Sequence, residues 1–376
     1  TMTKTATKWI GEFDLLRGFA ILAIVTIHAG AFYNTIDASN IIVPIVSYLT
    51  HLADFGVPVF FFVSGFVLTL RYFDAPDMKG FYRRRLSVII LPYLAFSALY
   101  LIYNFITIPD YTASTAAWSV VLFNTTGIFW FIAVLLQFYI LFPLLTRWQR
   151  SSEQRGRGWE MLAVSTAAYV AWYAFLLEPV AAAIDSVAQP VPGFGDIVAG
   201  RTFIGFLPFF ALGIWAQRSP SWESWVKRLG SPIVVPIVLL LAVLLTVLGS
   251  GFWWYMLVLP FSALMLGPLY RMSRWLLDRK GVLNGAVRTM GTYSYGIYLI
   301  HILVIAVIVN RLWSVGIFAD QWIFYVILLV GTMVLSIAAL FVLNLLPFGP
   351  LLTGMRARTR ARKRPADVRE ARQRQV

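Results

Sequence analysis

The chain has 376 residues, 59% of them hydrophobic and only 13% charged, with a mean hydropathy of +0.75. So much apolar surface exceeds what a water-soluble core can hide, which excludes both ordinary soluble domains and intrinsic disorder. The absence of cysteine excludes a disulfide scaffold, a thiol nucleophile and thiolate metal sites, and the net charge of +14 raises the question of nucleic acid, which the positions of the charges answer.

Apolar runs of about 20 residues predict ten membrane spans, at roughly 13–33, 51–70, 86–108, 127–147, 159–177, 201–217, 232–249, 252–271, 289–310 and 322–346. The expected fold class is therefore an all-α, polytopic transmembrane helix bundle. The first span is not read as a cleaved signal peptide, because Arg17 and His28 lie inside it and no clear small-residue cleavage site follows.

An even number of spans puts both termini on one side. With that side cytoplasmic, 29 of the 31 lysines and arginines fall in cytoplasmic segments, and only Arg201 and Arg311 fall outside. So one-sided a distribution predicts cytoplasmic termini and accounts for the net charge without nucleic acid as a partner. Tryptophans near span ends, Trp254 among them, read as an aromatic belt. Pro58, Pro92, Pro143, Pro208, Pro236 and Pro260 are expected to kink their helices. The segment 112–125 is too short and mixed to span, and 178–200 reads as an irregular outer loop carrying Glu178, Asp185 and Asp196. Residues 1–12 read as a cytoplasmic segment, 13–350 as the membrane domain and 351–376 as a basic cytoplasmic tail drawn to anionic lipid headgroups.

Ionisable residues inside a lipid-embedded bundle are costly, so each is a functional candidate. Arg17 and His28 are the leading pair. Eleven residues of helix turn through about 20° beyond three full turns and rise roughly 16 Å, so both face the same way at different depths. Asp14, one turn before Arg17, is placed to pair with it. Arginine can hold a phosphate, and neutral histidine can accept a proton near neutral pH, so the pair points to an anionic donor from the cytoplasm and a general base deeper in the bundle. Taken singly, the two residues also read as a snorkelling anchor and a buried hydrogen-bonding histidine.

Arg83, Arg84 and Arg85 open the third span and project over most of its circumference, so at least one should face the bundle. A phosphate site and a plain topology signal explain the group equally well. His301 lies in the ninth span beside Tyr293, Ser294, Tyr295 and Tyr298, a polar stripe with a structural hydrogen-bonding role as its main reading. His51 and Asp54, at the outer edge of the second span, carry less information. Metal binding is not expected, since no HExxH motif or tight histidine–carboxylate cluster occurs, and no glycine pattern points to nucleotide hydrolysis or hydride transfer.

The stretch FDLLRGFAILAIVTIHAG resembles the opening helix of the acyltransferase-3 family of integral-membrane O-acyltransferases, with the family's arginine–histidine spacing at Arg17 and His28. The blocks VPVFFFVSGFVL around Ser64, RRRLSVIILPY, WFIAVLLQFYILFPL, RTFIGFLPFFALGIW and GTYSYGIYLIH are similar to later family motifs and follow in the family's order. One departure is visible: many members carry a glutamate about five residues after the motif tryptophan, whereas Trp130 is followed at that spacing by Leu135. With 26 residues after Pro350, the expected branch is the one without an appended extracytoplasmic hydrolase-like domain.

The resemblance implies transfer of an acyl group, acetyl or succinyl foremost, from cytoplasmic acyl-CoA to a hydroxyl of a carbohydrate or glycoconjugate, at the inner (plasma) membrane and with no permanently bound cofactor. His28 would be the catalytic base, and Arg17 with Arg83, Arg84 and Arg85 would hold the donor. Asp14, Ser64, Trp130, Tyr139, Tyr295 and His301 would be candidate pocket liners. A transporter or flippase for a lipid-linked or polymeric sugar would draw on the same kinks and buried polar residues.

Overall fold

The computed structural model describes residues 10–36, 39–74, 77–279 and 281–354. Among these every regular element is helical, which makes the fold an all-α bundle. Residues 1–9, Lys280 and the basic tail from 355 onward lie outside the described residues, and with them most of the expected terminal segments.

The elements run α1 (Ile10–Gly30), α2 (Ile42–Leu52), α3 (Gly56–Tyr72), α4 (Met78–Thr107), α5 (Ala113–Val121), α6 (Trp130–Gln154), α7 (Glu160–Ala171), α8 (Leu177–Val187), α9 (Phe194–Ala199), α10 (Leu207–Arg218), α11 (Trp222–Leu229), α12 (Val234–Leu248), α13 (Phe252–Asp278), α14 (Val282–Ser314), α15 (Trp322–Leu343) and α16 (Gly349–Leu352). Among the described residues eight helical stretches are long and apolar enough to cross a membrane, and a ninth forms if α11 and α12, bent by 70°, count as one span. The chain is thus a multi-pass membrane protein.

The expected sixth span takes a different form. Instead of a helix over 201–217, a 3-10 turn at Phe203–Phe206 leads into the 12-residue α10, most of which is buried against α3. Non-helical backbone at membrane depth is tolerated only where protein satisfies its polar groups. Here Gln137 does so: its Nε2 donates to the carbonyl of Arg201 at 2.6 Å, and its Oε1 accepts from the Phe203 amide at 3.0 Å.

Three further expectations need correction. Pro58, Pro208 and Pro236 sit in the first turns of α3, α10 and α12, where a missing N–H breaks no helical bond. The internal helix prolines are Pro92, Pro143, Pro260 and Pro268. The stretch 178–200 is largely helical, because α7 continues through a π-helical turn at Trp172–Leu176 into α8, and α9 follows. The second apolar stretch runs from Ile42 to Tyr72 and breaks at 53–55 between α2 and α3.

Ion pairs show which helix ends share one end of the bundle. Arg274 near the end of α13 meets the buried Glu12 at the start of α1 at 3.1 Å. Arg150 in α6 meets Asp74 just after α3 at 3.2 Å, and Arg218 ending α10 meets Glu153 at 2.9 Å. At the opposite end lie the starts of α3, α6 and α13. Close helix approach fixes α1 against α14. A Cβ at Gly18 would strike the Val287 carbonyl, and one at Gly291 the Asp14 carbonyl, so backbones touch where any side chain would separate them.

Candidate active site

The contact between α1 and α14 carries two histidines. The rings of His28 and His301 have centroids 5.1 Å apart and planes tilted by 43°. His301 is completely buried, and its Nδ1 lies 2.8 Å from the Tyr298 carbonyl and 3.1 Å from that of Ile297. His28 is less enclosed and opens onto a cavity of about 530 Å3.

That cavity occupies the half of the bundle away from the Glu12–Arg274 pair. Trp130, Tyr173, Tyr255 and Trp254 give it aromatic walls, and Asp54, Asp196 and Arg201 give it polar ones. The polar groups are held firmly. Asp54, at the break between α2 and α3, has its Oδ2 bonded by His51 Nδ1 at 2.9 Å and by Trp254 Nε1 at 3.1 Å. Arg201 donates to the Leu122 carbonyl and to Asn124 Oδ1, the latter at 2.6 Å. Tyr173 and Tyr255 stack with ring centroids 3.8 Å apart.

At the other end, one turn from Asp14, Arg17 reaches its carboxylate at 3.3 Å. Arg17 also lies close enough to Arg71, Arg85 and Tyr139 to interact with them electrostatically. The arginine triplet divides. Arg83 and Arg84 are exposed, and Arg84 pairs with Asp77 at 3.4 Å. Arg85 turns inward over the Tyr72 ring at 5.2 Å, with its Nε and Nη2 buried and without hydrogen-bond partners among the described residues. A second cavity of about 300 Å3 lies at this end, lined by Tyr72, Asp74, Phe142, Arg147 and Arg150. Cations here outnumber nearby carboxylates, the balance an anionic ligand would redress.

The inner face of α14 joins the two regions. Tyr295, Tyr298 and His301 follow at one-turn intervals, with ring centroids 6.4 and 6.2 Å apart. The Tyr295 hydroxyl donates to the Ile89 carbonyl at 3.0 Å, and that of Tyr298 to the Ile128 carbonyl, so both tyrosines are anchored. Beside them runs an unbroken series of phenylalanine contacts. Phe131 on the cavity wall meets Phe61, which meets Phe138, which stacks on Phe210 at 4.4 Å; Phe210 touches Phe142.

Of the residues singled out in the sequence, His28 and Trp130 line the large cavity. Ser64, Tyr139, Tyr295 and His301 do not, and Asp14 and Arg17 belong to the arginine end. Sequence reasoning passed over three wall residues: Asp54 looked like a wet surface group, Trp254 like part of the interfacial belt, and Arg201 like an exception to the charge rule. The readable signal was Arg201, a cation on the wrong side of a one-sided distribution. Among the described residues no group of three or more His, Asp or Glu could hold a metal ion.

A family model described as an acyltransferase domain, acyltransferase-3, matches residues 10–341, from the start of α1 into the last turn of α15. The chain belongs to that acyltransferase family. It is also similar to Nodulation protein 10 of Rhizobium leguminosarum bv. viciae, 26% identical over 370 residues, covering 86% of this chain and 89% of the relative. No solved structure matches the chain. The matched region includes both ends of the site, so this membrane-embedded acyltransferase carries Arg17, Arg85, His28 and the large cavity within one family domain.

Proposed function

We propose that this acyltransferase moves an acyl group, acetyl or succinyl, from acyl-CoA onto a hydroxyl of a carbohydrate or glycoconjugate. One observation carries the reading. A single helix, α1, presents Arg17 to an arginine-rich end and, about 16 Å further on, His28 to a large cavity of aromatic and acidic character. Aromatic rings cover the apolar faces of sugars, and carboxylates accept their hydroxyls, so the cavity suits a glycan acceptor.

In this reading Arg17 and Arg85 hold the donor's phosphates, with the second cavity beside them for the rest of the nucleotide. The pantetheine arm follows the polar face of α14 toward His28. Neutral His28 takes the proton of the acceptor hydroxyl as its oxygen attacks the thioester carbonyl. The tetrahedral intermediate collapses, the C–S bond breaks, and the CoA sulfur leaves with the proton from the imidazolium. A bundle interior keeps water from the thioester. The arginine end faces the cytoplasm of a plasma membrane whose lipids surround the helices, and no permanently bound cofactor takes part.

The test uses purified full-length protein in nanodiscs with labelled acetyl-CoA or succinyl-CoA, together with mass spectrometry of surface glycans from cells with and without the protein. CoA release matched by a new glycan ester is the expected result. Glycan relocation with no consumption of acyl-CoA would replace the reading with transport.

A further inference from the structure

We propose that His301 is a positioning residue that fixes the tautomer and ring orientation of His28 by accepting a hydrogen bond on Nε2. The inference rests on the reading of His28 as the base and adds the group that holds it ready.

The backbone around His301 fixes its tautomer. Both neighbours of its Nδ1 are backbone carbonyls, which only accept, so Nδ1 carries the hydrogen. In the neutral ring Nε2 is then a bare acceptor. That atom is fully buried and has no hydrogen-bond partner among the described residues. An acceptor so placed is costly unless a donor reaches it. The ring of His28, 5.1 Å away between centroids, is a neighbour able to supply one. An N–H···N bond of about 2.9 Å, joining two imidazoles whose centres lie about 1.1 Å from their edges, gives a centroid separation close to the 5.1 Å observed. His301 Nε2 is unpaired among the described residues, so turning His28, the less enclosed of the two rings, to point an N–H at it is the step that would form the bond.

The consequence is directional. A hydrogen on the His28 nitrogen that bonds His301 leaves the lone pair on the other nitrogen, on a ring that lines the large cavity. That is the state a general base needs, with a nucleophile on one side and an orienting acceptor on the other. The close packing of Gly18 and Gly291 keeps α1 and α14 at the separation the bond requires.

The chain has three histidines, so selective 15N-histidine labelling of the full-length protein gives a spectrum simple enough to assign. In wild type His28 should show one fixed tautomer. In His301→Leu it should become a mixture, and kcat should fall by about 10²-fold, the cost of a misplaced reacting group, with KM for acyl-CoA and acceptor unchanged. His301→Gln, which can present a carbonyl oxygen near the position of Nε2, should restore the single tautomer and most of the rate. If His301→Leu does not insert, His301→Phe keeps a flat ring without nitrogen and serves the same comparison. An unchanged His28 tautomer in these variants overturns the proposal. A changed tautomer with wild-type transfer supports the contact and removes His28 as the base, so the two failures are distinguishable.

Discussion

Trp254 Nε1 donates to Asp54 Oδ2 across 3.1 Å, tying the first turn of α13 to the break between α2 and α3. The bond clamps the carboxylate at the rim of the large cavity, with His51 holding the same oxygen. Asp54→Asn should therefore raise the acceptor KM by about 10- to 100-fold, the worth of a charged hydrogen bond, while the acyl-CoA KM stays put. Initial-rate kinetics with each substrate varied in turn would measure this; a change confined to the donor would place the glycan elsewhere.

His28 lines the large cavity from within the long apolar helix α1. His28→Ala should insert, fold and bind acyl-CoA, yet lose on the order of 10²–10⁴ in transfer rate. His28→Gln keeps hydrogen bonding without a basic nitrogen and should be equally slow. Labelled-acyl transfer in membranes matched for protein level is the measurement, and wild-type rates in the Gln variant would rule out base catalysis.

The divided arginine triplet gives a sharper contrast than its sequence did. Arg85→Gln should weaken acyl-CoA binding about 10-fold through loss of a charge-assisted contact, and the wild-type affinity should fall as salt is added. Arg83→Gln, on an exposed side chain, should leave binding unchanged. Equilibrium binding to purified variants, after checking insertion, decides between a donor site and a topology signal.

Gly291→Ala forces a methyl group onto the Asp14 carbonyl. Over-packing of this kind costs about 1–3 kcal/mol, and relief by separating α1 from α14 would pull His28 from His301. Lower thermal stability in detergent, accompanied by lower transfer, is the expected outcome.

The basic residues at one end of the bundle predict cytoplasmic termini. A reporter fused after Val376 should be active only in the cytoplasm; periplasmic activity would invert the topology.

The hydrophobic runs made the bundle and most of its helices legible, because lipid imposes a length and polarity on each span. They misjudged α10, whose apolar composition hides a non-helical start that Gln137 supports from another helix. The same division holds for the site. Arg17 and His28 share one helix and a readable spacing. Asp54, Trp254 and Arg201 come together only through tertiary packing, and of the three only Arg201, out of place in the charge distribution, left a mark in the sequence. His301 was visible as a buried polar residue, but its partner sits on α1, beyond the reach of any periodicity argument.

The phenylalanine series from Phe131 to Phe142 has a consequence for the cell as well as for the reaction. An enzyme with a polar chamber at each end of a membrane domain risks becoming a conduit for ions. Close-packed aromatic rings stand between the chambers, so the layer beside which the pantetheine arm must pass is also the one that limits water and ions between the two aqueous phases. Trimming Phe138 or Phe210, which stack face to face, should thin that layer and raise ion leak across vesicles that hold the protein.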